Sequence, residues 1–236
     1  WENYGISSYI RGSAEQLIWQ SYYLLEDTLK YEKPQVVIVN VLAMTQRDAK
    51  SEAYNRMTLD GMKLSKYKIA SIRESMTEDE NMASYIFPLL RYHSRWSELS
   101  SEDFRYMWKT PSVTTNGYLM QKGVRPVTTI PKAAPLANYT FSDRNMEYLD
   151  KIYSLCKDNG INLVLMKAPS VFPHWYDEWD KQVNDYADEH GLVFVIDIGK
   201  CGSESWQTDR LLNVIKEHPG MKFVVCHLLA VSMRDE

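Results

Sequence analysis

Val36-Val37-Ile38-Val39-Asn40-Val41-Leu42 is a continuous, mostly β-branched run interrupted by one amide. Such a run has the pattern of a parallel strand buried on both faces. Pro34 stands just before it and blocks extension of any upstream helix. Further upstream, Ser13-Ala14-Glu15-Gln16 has the capping-box pattern, a hydroxyl followed three residues later by a side chain that can reach back. Ala14, Leu17, Ile18, Ser21, Leu25 and Leu29 then recur at helical spacing and predict an amphipathic helix to about Tyr31. Ser8-Tyr9-Ile10-Arg11-Gly12 reads as a short strand ending at a glycine turn. Strand, turn, helix and strand together predict a βαβ unit.

From Thr45 to about Tyr139 the texture changes. Thr77-Glu78-Asp79-Glu80 is a second capping-box pattern, predicting a helix with Met82, Tyr85, Ile86, Leu89 and Leu90 on one face. Ser100 predicts the cap of a short helix carrying Phe104, Met107 and Trp108. Thr110 to Tyr139 shows almost no periodicity and reads as a long irregular excursion. Regular alternation then returns. The pattern predicts a helix from Ser142 to Asn159-Gly160, a strand over Ile161 to Met166, and a helix from about Pro173 to His190. A strand over Leu192 to Ile198, a helix from about Trp206 to Glu217 and a strand over Lys222 to His227 complete the series. Repeated βα alternation with short connections argues for an α/β fold around a mostly parallel sheet.

The 236 residues carry 27 Lys and Arg against 31 Asp and Glu, a formal charge of -4, which gives no electrostatic footprint for nucleic acid. The longest apolar stretches are strand-sized, short of the roughly 18 residues that cross a bilayer. Cys156, Cys201 and Cys226 show no CxxC spacing, so neither a disulfide framework nor a zinc knuckle is indicated. Sixteen Tyr and seven Trp suit a sugar-facing surface, though core packing accounts for aromatics as well. The chain opens on Trp1 rather than Met, which reads as a processed chain or a fragment.

No complete catalytic motif is present: GxSxG, Walker A, HExxH, GxGxxG and the kinase signature are all missing. Candidates are therefore single residues at places where α/β sheets put function, beyond the C-terminal ends of strands. Gly12, between a predicted strand and helix, can offer backbone N–H groups to an oxyanion or phosphate, or simply make a turn. Asn40, inside the predicted buried strand, can donate to a reacting carbonyl oxygen or satisfy neighbouring backbone. His93, in Arg91-Tyr92-His93-Ser94-Arg95-Trp96, suits a sugar-binding or catalytic cleft, or a helix C-terminus that favours a cation. Lys167 and Ser170 follow a predicted strand at the cleft-facing end; Ser170 lacks the glycine elbow of a strained nucleophile and fits a cap better. His174-Trp175-Tyr176-Asp177-Glu178-Trp179-Asp180 fits a carbohydrate rim or an acid-rich helix N-terminus. His227, at a strand end, is no metal site alone, because hydrolytic zinc needs about three protein ligands.

Several segments together resemble the SGNH/GDSL hydrolase-like proteins of Gram-positive bacteria. They are Ser8 to Ser13, Trp19 to Glu26, Glu32 to Val39, His93 to Leu99, and Tyr148-Leu149-Asp150-Lys151 running to Leu165-Met166-Lys167-Ala168-Pro169-Ser170. The resemblance covers about residues 1–193. It implies a flavodoxin-like three-layer α/β sandwich and serine-dependent hydrolysis or transfer of acyl (acetyl) esters, often on cell-envelope polysaccharide. By position Gly12 and Asn40 resemble that family's oxyanion-hole residues. The family's nucleophilic Ser would precede Trp1, and its C-terminal Asp-x-x-His has no counterpart after Leu192. Val195 to Lys200 and His218 to Leu228 instead resemble part of an amidohydrolase-type TIM-barrel protein, in which His227 would bind metal only in a complete barrel.

The expectations are therefore these. Residues 1–193 form an SGNH-type α/β domain with a helical and irregular insertion over about 45–139. Residues 194–236 form an α/β tail of foreign or composite origin, joined near Gly191 to Val195. The resemblance implies an acylated carbohydrate or small ester as partner; no cofactor is expected, and the charge balance argues against nucleic acid. It implies an extracytoplasmic location through an N-terminal anchor that this stretch lacks. No esterase turnover is expected from these residues alone, since triad members act as a unit. The alternatives are a non-catalytic carbohydrate-binding module and a fragment of a metal-dependent amidohydrolase.

Overall fold

Backbone groups of a buried strand need hydrogen-bonded neighbours, and here four strands supply them to one another in parallel. The computed structural model describes residues 5–87, 90, 97–98, 100–101, 114–117, 134–167, 175–197, 212–213, 215–220 and 222–226. Its contacts divide the chain into two compact units: residues 1–27 with 48–128, and residues 28–47 with 129–236.

The second unit holds the sheet. Strands β1 (Val36–Asn40), β2 (Asn162–Met166), β3 (Val193–Asp197) and β4 (Lys222–Cys226) lie side by side in the order β1-β2-β3-β4, every pair parallel. The expected mostly parallel α/β architecture is observed. The tail strand β4 continues the same sheet, pairing with β3 from Val193↔Lys222 to Asp197↔Cys226. Helices α5 (Asp143–Asp158) and α6 (Asp177–Glu189) follow β1 and β2 in sequence. Ser142 caps α5 by accepting from the Asn145 N–H at 3.2 Å, and Gly160, at φ +64, ends it in the left-handed conformation that glycine tolerates.

The strand order explains a departure from expectation. Right-handed crossovers between parallel strands laid down in the order 1-2-3 place successive helices on the same face of the sheet. Consistent with this, the α6 Tyr186 hydroxyl donates to Asp150 of α5 at 2.8 Å. Register puts Val37, Val39, Leu163 and Leu165 on one face, where Val39, Leu163 and Leu165 are buried. Val36 and Ile38 lie on the other face and are 47% and 59% exposed. β1 is thus buried on one face rather than both. It also ends at Asn40; Val41–Thr45 turns into a 3-10 helix instead of extending the strand. Among the described residues of this unit, α5 and α6 form one helical layer; a three-layer sandwich needs a second.

The first unit is helical: α1 (Ile18–Thr28), α2 (Glu52–Leu59), α3 (Lys66–Ser75) and α4 (Met82–Ile86). Leu24, Leu59, Met62, Ile72 and Tyr85 form its core cluster. Two expectations are corrected here. Ser8 to Gly12 is exposed and without regular structure, so the predicted opening strand and its βαβ unit are not formed. Its described backbone contact is one bond, Ile10 N–H to the Asn116 carbonyl at 2.9 Å. The helix predicted from Ser13 begins instead at Ile18. Glu15 sits at φ 53, which a helix cannot contain, while Gln16 Oε1 accepts from the Ser13 N–H at 2.8 Å. The reach-back half of the capping box therefore forms one turn ahead of the helix. Similarly, α4 is capped by Asn81, whose side chain accepts from the Ala83 N–H, and Thr77 donates to Glu80. The helix predicted after Ser100 lies, beyond residue 101, outside the described residues.

Candidate functional site

The segments that leave the C-terminal ends of the strands build the site. After β1, the Asn40 side chain caps the 3-10 turn, its Oδ1 accepting from the Leu42 N–H at 3.1 Å. That turn carries Met44 and Thr45 into the wall of a cavity of about 400 Å3. The cavity's lining includes apolar Met44, Leu136, Phe141 and Trp179, of which all but Leu136 are buried, and polar Thr45, Arg47, Asn138 and Thr140. All of them belong to the sheet-bearing unit.

Buried hydrogen bonds hold these walls. Asn145, fully buried on α5, donates through Nδ2 to the Met44 carbonyl at 2.7 Å and the Gln46 carbonyl at 2.9 Å. The Gln182 side chain of α6 spans the 139–141 segment, accepting from the Phe141 N–H at 3.0 Å and donating to the Tyr139 carbonyl at 2.9 Å. Aromatic rings continue the apolar side. Phe141 stacks on Trp179 at 6.2 Å, Trp175 meets Trp179 edge-on at 5.3 Å, and Tyr176 meets Trp179 edge-on at 4.9 Å. Such offset and edge-to-face pairs fix ring orientation beyond what apolar burial does.

Two cations stand at this end of the sheet. Lys167, the residue after β2, lies over the Trp175 ring at 5.3 Å. Burial lowers its ammonium pKa, and the nearby Asp180 carboxylate partly opposes that shift. Arg47 donates through Nη2 to the Thr140 carbonyl at 3.0 Å. Among the described residues, no carboxylate pairs with Arg47 and none lines the cavity.

The sequence-derived candidates fall as follows. Asn40 and Lys167 sit at neighbouring strand ends, since Asn40 pairs with Met166 in the β1–β2 register. Asn40 is exposed rather than inside a doubly buried strand, and its amide oxygen satisfies local backbone. Gly12 follows no strand, precedes α1 by several residues, and has room for a Cβ, whose nearest neighbour would be 3.9 Å away. The reading of Gly12 as a strand-to-helix anion turn is therefore corrected. His93, Ser170, His174 and His227 lie outside the described residues. Asp177, Glu178 and Asp180 do occupy the first turn of α6, where carboxylates interact favourably with the positive end of the helix dipole. Arg47, Asn138 and Phe141 went unread in the sequence; the aromatic-acidic run through Trp175 and Trp179 was the one local signal pointing here.

Two histidines are described outside the cavity lining. His190 stacks on Tyr186 at 4.0 Å, and Nδ1 of His218 lies 3.9 Å from carboxylate oxygens of both Asp185 and Asp188. Among the described residues neither meets a hydroxyl or thiol, no group of three or more metal-ligating side chains gathers, and no helix is long and apolar enough to cross a membrane. Comparison with family models, curated proteins and solved structures returns no match for this chain.

Proposed function

We propose that this chain is the saccharide-holding part of an SGNH-type acyl-ester hydrolase or acyltransferase, its sheet forming the centre of a flavodoxin-like three-layer sandwich. The observation that carries the reading is the cavity beyond the C-terminal end of β1, where Arg47, Leu136, Asn138 and Thr140 are exposed over the buried Phe141 and Trp179. Parallel α/β sheets bind ligands at that end, and the exposed Arg47, Asn138 and Thr140 there offer hydrogen-bonding groups to sugar hydroxyls, with Leu136 as exposed apolar surface beside them. Asn40 has a role in this reading. Because its Oδ1 is held by the Leu42 N–H, its Nδ2 is the group turned to donate, as an acyl oxyanion requires.

Among the described residues no hydroxyl, imidazole and carboxylate form a relay; on this reading the chain binds an ester-bearing sugar without turning it over. The test is calorimetry with O-acetylated xylotriose and its deacetylated form, beside p-nitrophenyl acetate hydrolysis. Tighter binding of the acetylated sugar, weakened by Asn40→Ala, is the expected result. Equal binding of both forms, or none, overturns the reading. Serine-reagent-sensitive hydrolysis abolished by Ser170→Ala would place the nucleophile inside this chain. A non-catalytic glycan-binding module rests on the same cavity, and it predicts no response to Asn40→Ala.

A further inference from the structure

The chain holds two Asn-Gly pairs, Asn116-Gly117 and Asn159-Gly160, and the fold treats them differently. Glycine has no side chain to shield its backbone nitrogen, so an asparagine amide just before it is open to attack by that nitrogen. In both pairs the asparagine is half-buried and the glycine exposed, so access to water does not separate them. Hydrogen bonding does. Asn159 caps α5: its Nδ2 donates to the Leu155 carbonyl at 2.8 Å, and the Gly160 N–H donates to the Lys157 carbonyl at 3.0 Å. The amide that would leave and the nitrogen that would attack are both held. Among the described residues the Asn116 side chain makes no hydrogen bond. Its backbone belongs to Thr114–Gly117, a single 3-10 turn, a form with poorer bond geometry than an α-helix.

We infer that Asn116-Gly117 is a site of spontaneous deamidation, and that the helix cap protects Asn159-Gly160 from the same reaction. The Gly117 nitrogen attacks the side-chain carbonyl carbon of Asn116. A C–N bond forms, the amide C–N bond breaks, the glycine proton leaves with the amide nitrogen as ammonia, and a cyclic imide results. Water then opens the imide to aspartate or isoaspartate, leaving one new carboxylate and releasing its proton. The consequence is local. The Asn116 carbonyl accepts from the Ile10 N–H at 2.9 Å, and a Cβ on Gly117, which sits at φ 83, would collide with the Ile10 carbonyl oxygen. Isoaspartate routes the main chain through an extra methylene and turns the acceptor carbonyl into a carboxylate beside it. In so close a backbone contact that change breaks the clip on Ile10 and loosens the exposed segment carrying Ile6, Tyr9 and Ile10. The modification is independent of the sugar reading.

The test follows both pairs in one sample. The intact chain is held in mildly alkaline buffer made with heavy-oxygen water, and its peptides are read by mass spectrometry, since each imide opening takes one oxygen from solvent. Asn116 should take up label about tenfold or more faster than Asn159, whose amide must first give up a hydrogen bond. In urea, where the cap is gone, the two rates should converge. Comparable rates in the folded chain, no label at Asn116, or a difference that survives urea would each overturn the inference. Hydrogen exchange reads the consequence. The Ile10 amide should exchange faster as isoaspartate accumulates, and should keep its initial rate over the same time in Asn116→Gln, whose longer side chain closes the ring far more slowly. Ile10 exchange that does not follow the isoaspartate content would overturn the unclipping.

Discussion

Replacing Asn145 should loosen the cavity wall and the sheet-bearing unit together. The side chain is fully buried, and its Nδ2 holds two carbonyls, Met44 at 2.7 Å and Gln46 at 2.9 Å, on either side of the end of the 3-10 turn. Among the described residues its buried Oδ1 meets no hydrogen-bond partner, so the amide's orientation is set by its donor side. Asn145→Ala removes both bonds and leaves two carbonyl oxygens competing for whatever water can enter. At about 1 kcal/mol for each net hydrogen bond, plus part of the roughly 1–3 kcal/mol cost of an unsatisfied buried group, the loss is about 2–4 kcal/mol. Asn145→Asp is the sharper variant, since a carboxylate would face the same two carbonyl oxygens without a proton to give them. Urea unfolding followed by circular dichroism gives the stability, and hydrogen exchange at Ala43 to Gln46 locates the loosened segment. A loss below about 1 kcal/mol with exchange unchanged at those amides would refute the assignment of Asn145 as the tie between α5 and the cavity wall.

Three further outcomes follow from the packing. Leu165→Ala, at a fully buried position of β2, should cost about 3–5 kcal/mol, whereas Ile38→Ala, 59% exposed on β1, should cost under about 1 kcal/mol; similar urea midpoints for the two variants would contradict the one-sided cover of the sheet. The Cys156 thiol, buried on α5, is pushed up to about 11 from an ordinary 9.0 by burial, so native Cys156 should resist iodoacetamide at pH 8, read by mass spectrometry. The folded state holds this proton where the unfolded chain releases it, so the Cys156 contribution to stability is complete below about pH 9 and falls away as pH rises through about 11; Cys156→Ser should flatten that part of the stability profile. Arg56 in the helical unit binds Glu52 at 2.8 Å, Asp60 at 3.2 Å and the Ser84 hydroxyl at 3.0 Å, with its guanidinium 4.3 Å from the Tyr85 ring centroid. Arg56→Ala should cost roughly 2–3 kcal/mol, less than a fully buried pair because both carboxylates are partly exposed, and Arg56→Lys should fall between; a neutral Arg56→Ala would sink that reading.

The second half of the chain was readable because its signals are local. Ser142 followed by the inward Leu149, Ile152 and Cys156 marks α5, Asn159-Gly160 ends it, and the β-branched and leucine-rich runs of β2 to β4 stand between clear helical patterns. Helices α2 and α3 were unread because they are short and polar. Their signals were the Glu52, Arg56 and Asp60 spacing and Ser65, whose hydroxyl accepts from the Lys68 N–H at 3.2 Å. The opening strand failed because a strand needs a backbone partner, and among the described residues the backbone hydrogen bond of Ser8 to Gly12 is the single one from Ile10 to Asn116. How deeply β1 is buried depends on which side each crossover passes, a property of the whole sheet that no run of residues contains. The cavity is hidden in sequence for a related reason: Arg47, Asn138 and Trp179 come from three distant segments, joined by the β1–β2 pairing and by Asn145 and Gln182.

Indole N–H spectroscopy on the intact chain distinguishes the cavity from the rest of the molecule. Trp179 lines it and Trp175 packs against Trp179, while the Trp19 indole is buried in the helical unit and donates to Ser75 at 3.0 Å. Titration with O-acetylated xylotriose should move the Trp175 and Trp179 indole resonances in a saturable way and leave Trp19 in place. Stationary Trp175 and Trp179 signals at ligand saturation, or a shift confined to Trp19, would contradict a sugar site at the C-terminal end of the sheet.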